Sequence, residues 1–158
     1  ALKYKPSYIC LVPEKRNEIT TEGGLNLKKN KNKIKKIINV FNSKNIRTSL
    51  FINPSMEDIK LSKILGSKCI EIHTGNISNQ IKQNKNYFKE FNKIKKCATY
   101  AKNIGLEVHA GHGMDYKTTR ILNKIKQIEE FNIGHFIIGE SVSHGISKVV
   151  KKFINILR

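Results

Sequence analysis

A chain of 158 residues fits one hydrophobic core, since single domains cluster near about 100–150 residues. Its composition, 39% hydrophobic and 27% charged, is globular, and no run approaches the roughly 18 consecutive apolar residues of a membrane span, which excludes membrane insertion and disorder throughout. The formal charge of +18 rests on 30 basic residues of which only four are arginine, whereas nucleic-acid readout favours the bidentate Arg fork.

In chain order, Tyr8 to Val12 is a short apolar run stopped by Pro13, which reads as a buried strand followed by a loop. A long polar loop reaches Gly24, and Ile34, Ile37, Ile38 and Phe41 then mark an amphipathic helix. Thr48 to Asn53, closed by Pro54, is a second strand. A helix carrying Ile59, Leu61, Ile64 and Leu65 ends at Gly66, and Lys68 to Ile72 form a third strand. The polar tract Asn76 to Asn86 reads as a loop and a candidate lid. Tyr87, Phe88, Phe91, Ile94, Ala98 and Ala101 line the next helix, closed by Gly105, and Leu106 to Ala110 form a fourth strand. Ile121, Leu122, Ile125 and Ile128 mark a further helix, and Phe136 to Ile138 a fifth strand. Repeated βα units imply a parallel sheet covered by helices, either doubly wound or a (β/α) barrel, in a single domain over 1–158.

In such folds the chemistry lies at the carboxyl ends of the strands, and those ends are polar here. Alternation places Cys69, Glu71 and His73 on one strand face, with Glu71 a carboxylate in apolar surroundings, either paired structurally or used. His112, flanked by Gly111 and Gly113, suits proton transfer, the glycines letting the backbone turn sharply. Gly139 to Gly145 would supply amides to an anion at a helix N-terminus. His109 and His112 have a metal-ligand spacing but no third ligand, so no metal is expected. His73, His135 and His144, taken singly, read as hydrogen-bonded structural histidines. Cys10, Cys69 and Cys97 form no C-x-x-C pair, read as fillers of core volume, and point to a reducing, cytoplasmic compartment. Lys, Asn and Ile together make up 67 residues, and their codons are rich in A and T, so the basic excess reads as genome bias. The lysines spread over several helix faces instead of forming one stripe.

The runs Cys10 to Arg16, Thr20 to Gly24, Glu71 to Gly75, Ala110 to Gly113 and Asn132 to His135 together resemble the pyridoxine 5′-phosphate synthase family, in family order and across the whole chain. The resemblance implies a (β/α)₈ TIM barrel, of which this chain supplies about five βα units. It implies condensation of 1-deoxy-D-xylulose 5-phosphate with 3-amino-2-oxopropyl phosphate to pyridoxine 5′-phosphate, inorganic phosphate and water. Carried over by position, His112 resembles the proton donor and Glu71 the carboxylate that stabilises cationic intermediates. Thr20 resembles a contact to the deoxyxylulose phosphate, and Gly113, Gly134 and His135 contacts to the amino-ketone phosphate. No cofactor or metal is implied, and the expected partners are small phosphorylated molecules and copies of the chain, commonly in octamers, with no nucleic acid and no membrane. The first matching motif corresponds to the family's fourth strand. The expectation is therefore a carboxyl-terminal portion lacking strands one to three, a general-base histidine and a second glutamate, and inactive by itself. Another phosphate-handling barrel enzyme and, in a different class, a basic nucleic-acid-binding module are the alternatives.

Overall fold

The computed structural model describes residues 1–13 and 23–158, so the loop carrying Thr20 lies outside the described residues. The chain forms β1 (Tyr8–Leu11), α1 (Leu27–Asn42), β2 (Arg47–Ile52), α2 (Met56–Ile64), β3 (Cys69–His73) and α3 (Gly75–Lys82). It continues with α4 (Phe88–Asn103), β4 (Glu107–Gly111), α5 (Tyr116–Leu122), β5 (Glu130–Asn132), α6 (His135–His144) and α7 (Ile146–Leu157). The helices begin where short polar side chains accept orphan amides: Asn26 from Lys29, Ser55 from Asp58 and Asp115 from Thr118. After α2 and α4 the chain reverses through Gly66 and Gly105, at φ +89 and +74, a region that only glycine enters without strain.

The five strands among the described residues all run parallel, in the spatial order β1-β2-β3-β4-β5. A doubly wound sheet reverses its strand order at a switch point and this one never does, so the winding is that of a barrel. The sheet is also curled. Laid flat, β1 and β4 would be three strand spacings apart, about 14 Å. Instead the Tyr8 hydroxyl donates to Glu107 of β4 at 2.9 Å, and the Tyr8 ring lies 5.9 Å from that of His109.

The two faces of the curl differ in chemistry. Leu50, Ile52, Ile70, Ile72, Val108 and Ala110 point to the convex side, where they pack against Ile34, Ile38, Ile59, Ile77, Ile94 and Leu122 of the helices. Removing each such leucine, isoleucine or valine side chain from water contributes about 1.5–3 kcal/mol, and this layer is the main source of cohesion. The intervening residues, among them Ser49, Cys69, Glu71, Glu107 and His109, belong to the opposite, concave face. That polarity is what a barrel interior bearing an active site requires.

Three expectations need correction. Phe136 to Ile138 are not a strand. They lie in α6, where Phe136 packs edge-on against Tyr116 at 4.9 Å and near Phe153 at 5.9 Å. The fifth strand is Glu130–Asn132, which is three residues long and reads polar, apolar, polar, so it offers no apolar run to detect. The tract Asn76 to Asn86 is not a loop over most of its length, because Ile77 and Ile81, four residues apart, bury one side of α3. Finally, Gly139 to His144 are helical, and the tract reaches a helix N-terminus only at its last residue, Gly145, which caps α7; the helix that follows β5 begins earlier, at Gly134. The 12-residue helix α7 has no counterpart among the expected elements, and α5 stops at Leu122, leaving Ile125 and Ile128 buried in the turns that follow.

Candidate active site

β3, β4 and β5 end together around one cavity of about 480 Å³. Glu71 of β3, His112 and Gly113 after β4, and Gly134 and His135 after β5 all contribute to its wall. Five of the six site residues named from the sequence thus converge, and the sixth, Thr20, lies outside the described residues.

Glu71 is 8% exposed and forms no ion pair among the described residues. Its Oε2 accepts a hydrogen bond from Asn132 Nδ2 at 2.9 Å and one from the Cys10 thiol at 3.4 Å. Burial pushes the carboxyl above its ordinary value, and the bonds from Cys10 and Asn132, with the nearby His109, pull it back. Cys10 is therefore not a core filler: it is exposed on an edge strand, and desolvation of its sulfur first, with the Glu71 charge second, pushes the thiol up to about 12 and so keeps it protonated as a donor.

His112 has φ +82, a left-handed backbone that a non-glycine residue holds only when its surroundings impose it. Thr74 imposes it. Fully buried at the end of β3, its amide donates to the Gly111 carbonyl at 2.9 Å, and its hydroxyl lies 2.8 Å from the carbonyls of both Gly111 and His112. His73 packs its ring 4.8 Å from that of His112, with Phe51 edge-on at 5.3 Å. Burial, helped by His112, lowers the His73 pKa to about 4, so this imidazole is neutral near pH 7. Among the described residues its Nε2 is buried without a hydrogen-bond partner, contrary to the expectation of a hydrogen-bonded structural histidine. Gly111 does not serve a sharp turn, because φ is positive at His112 and Gly113 and not there.

At the third strand end, the first bond of α6 runs from the Ile138 amide to the Gly134 carbonyl at 3.0 Å. The amides of His135, Phe136 and Ile137 are thus unused within the helix, and the first two of these residues line the cavity. Such a terminus attracts anions. Lys82, at the end of α3, adds a cation to the cavity wall, a feature hidden in a tract read as a loop. Met114, which also lines the cavity, was equally unmarked in the sequence.

His109 and His112 do not form a metal pair. His109 turns down the concave face, with Nε2 3.1 Å from Glu107 and Nδ1 3.5 Å from Glu130. Among the described residues the one trio able to approach a metal is Cys69, Glu107 and His109, their ligand atoms within 4.8 Å of one another. Arg47 already holds Glu107 Oε2 at 2.7 Å, and Tyr8 donates to Oε1. Burial raises the carboxyl of Glu107, but the bonds from His109 and Tyr8 and the charge of Arg47 outweigh it and hold it below its ordinary value. The Cys69 thiol is pushed up to about 12, by burial first and Glu107 second. An occupied carboxylate beside a protonated thiol makes this trio a structural network. No helix among the described residues is long and apolar enough to cross a membrane.

Polar groups gathered where consecutive parallel strands end, on a sheet wound in one direction, place the chain among (β/α)-barrel folds. The narrower assignment comes from sequence comparison. The family described as pyridoxal phosphate biosynthesis protein PdxJ matches residues 1–158, and the chain belongs to that family. A protein of Pelagibacter ubique named pyridoxine 5′-phosphate synthase is 64% identical over 153 residues, which cover 97% of this chain and 64% of the relative. Proteins of the same name from Sulfurihydrogenibium sp. and Bdellovibrio bacteriovorus are 46% and 37% identical over 99% and 100% of this chain. The chain spans 64%, 64% and 65% of the length of these three curated relatives.

Proposed function

We propose that the protein is a pyridoxine 5′-phosphate synthase, joining 1-deoxy-D-xylulose 5-phosphate to 3-amino-2-oxopropyl phosphate with ring closure and release of inorganic phosphate and water. The observation that carries this reading is the convergence of Glu71, His112, Gly113, Gly134 and His135 on one cavity, in a chain of that family. Imine formation, phosphate elimination and cyclisation each move protons, which an imidazole relays in either direction near neutral pH. His112 is the proton donor in this reading. Glu71, screened from water on the concave face, lowers the energy of the iminium that forms beside it. The unused amides at the start of α6 take the phosphate of the amino-ketone, and Lys82 supplements their charge. Thr20 contacts the deoxyxylulose phosphate.

In the same reading β1 to β5 correspond to the family's fourth to eighth strands. The general-base histidine and the second glutamate then come from outside residues 1–158. The enzyme works without metal or nucleotide cofactor, in the cytoplasm, as a homo-oligomer, an octamer by family resemblance, with no nucleic-acid or membrane partner. The test is His112→Asn in the whole native protein. Folding, read by circular dichroism, should be unchanged while product formation falls by about a hundredfold or more. An unaltered rate removes His112 from the mechanism, and failure of the unaltered protein to form pyridoxine 5′-phosphate ends the reading.

A further inference from the structure

The two bonds to Glu71 have an uncommon topology. Glu71 lies on β3, the middle strand, whereas Cys10 belongs to β1 and Asn132 to β5, the two edges of the sheet. Each bond therefore passes over an intervening strand. Side chains on that strand normally stand in the way, because facing residues of adjacent parallel strands share one surface. On β4 the obstacle is absent: Asn132 is in register with Gly111, and a Cβ built on Gly111 would lie 2.0 Å from Glu71 Oε1. On β2 the residue in register with Cys10 is Ser49, which is also small. Both donors reach Oε2, so Oε1 lies over Gly111, and Glu71 keeps its place in the cavity wall.

We infer that Asn132 and Cys10 are positioning residues that hold the Glu71 carboxylate in place from both edges of the curled sheet, with Gly111 as the clearance that lets Asn132 reach it. The inference rests on the proposed role of Glu71 only where turnover is concerned. Each neighbouring element contributes a defined group. β1 brings the Cys10 donor; β2 brings the uncharged Phe51, in register with Glu71; β4 brings His109, which favours the ionised carboxylate; β5 brings the Asn132 donor and Glu130, whose charge opposes ionisation. On β3 itself His73 is neutral near pH 7. Without the two donors, burial and Glu130 act on Glu71 with less to oppose them, and its proton is held more tightly.

The experiment compares Asn132→Leu and Cys10→Ala with the parent in the whole native protein. Carboxyl-labelled glutamates are titrated by carbon NMR without substrate, the Glu71 signal being identified by its loss in Glu71→Gln. The Glu71 midpoint should move upward in both variants and further in Asn132→Leu. In turnover, kcat should fall about tenfold or more while KM changes by less than about threefold. Asn132→Leu should add no further loss to Glu71→Gln, since a positioning residue acts through the group it positions. A midpoint unmoved in both variants, or a double variant whose loss is the product of the single losses, overturns the inference. If the midpoint moves and kcat does not, the positioning stands and the catalytic role of Glu71 falls. Should Asn132→Leu not fold, Cys10→Ala on the edge strand carries the same readout, and Cys10→Ser, which keeps a donor, should restore the parent midpoint.

Discussion

His73 is held neutral by its position, and that position has a measurable cost. Its pKa falls from 6.5 to about 4 on folding, chiefly through burial and secondarily through His112. Between these values the unfolded chain binds a proton that the folded chain refuses, so stability rises with pH across that window and is fully present above about 6.5. Glu71 acts in the opposite sense. Its folded pKa lies above the ordinary carboxylate value, so its contribution is greatest at low pH and declines as pH rises through the folded value. Replacing His73 by Phe removes the first effect and keeps a ring against His112 and Phe51. Urea midpoints of the parent should drop from pH 6.5 to pH 4 more steeply than those of His73→Phe, and parallel slopes would mean that His73 titrates normally. A second expectation concerns Gly111, where an added methyl group would occupy the place of Glu71 Oε1. Gly111→Ala should displace the carboxylate and lower turnover more than it lowers the thermal midpoint. The reverse ranking would make Gly111 a residue of the fold alone.

At the scale of elements, β3 and β4 are joined above their ladder by Thr74, and this connection supports the strained loop of His112. Thr74→Val keeps the shape and removes the hydroxyl shared by two carbonyls, so stability should fall by about 1–3 kcal/mol, as for a buried hydrogen bond left unmade. Thr74→Ser should recover most of it, and a Val variant as stable as the parent would remove the hydroxyl from the account. Thr74 was readable in the sequence as part of Glu71-Ile72-His73-Thr74-Gly75, but its task was not, because hydrogen bonds to another strand's loop leave no local pattern. Legibility followed the amount of apolar periodicity. β1 to β4 and the helices over Ile34, Ile59 and Ile94 announce themselves by apolar runs and by spacings of three and four. Between asparagines and lysines α3 shows only Ile77 and Ile81, too few to outweigh weak propensity, and β5 turns only Phe131 toward the helices. Reading Phe136 to Ile138 as a strand displaces the expected helix N-terminus by several residues, yet Gly134 and His135, which the resemblance singles out, line the cavity all the same, since a motif travels with its sequence and not with the element assigned to it.

At the scale of the whole molecule, the five described strands leave two edges unpaired, β1 on one side and β5 on the other, with the curl open between them. Open parallel edges recruit further strands, and closure of the barrel is the arrangement that removes them. The helical layer is incomplete in the same sense. α7 buries Val149 and Phe153 against its neighbours, but on its other side Ile146, Val150 and Ile154, each four residues from the next, are 58%, 37% and 44% exposed, and Val142 of α6 is 86% exposed nearby in sequence. An apolar stripe of this kind in water favours association. The net charge of +18 opposes it only at long range, because salt at physiological strength screens charges beyond about 8 Å. The 158-residue chain by itself should therefore self-associate in sedimentation velocity at micromolar concentration, more so as salt is raised. Exchanging Val150 and Ile154 for lysine should reduce that association without unfolding the chain, since neither side chain contributes to the buried core. A monodisperse monomer that stays so at high salt would show that the edges are shielded and the stripe harmless. Association unaffected by the two lysines would assign it to the strand edges and not to α7.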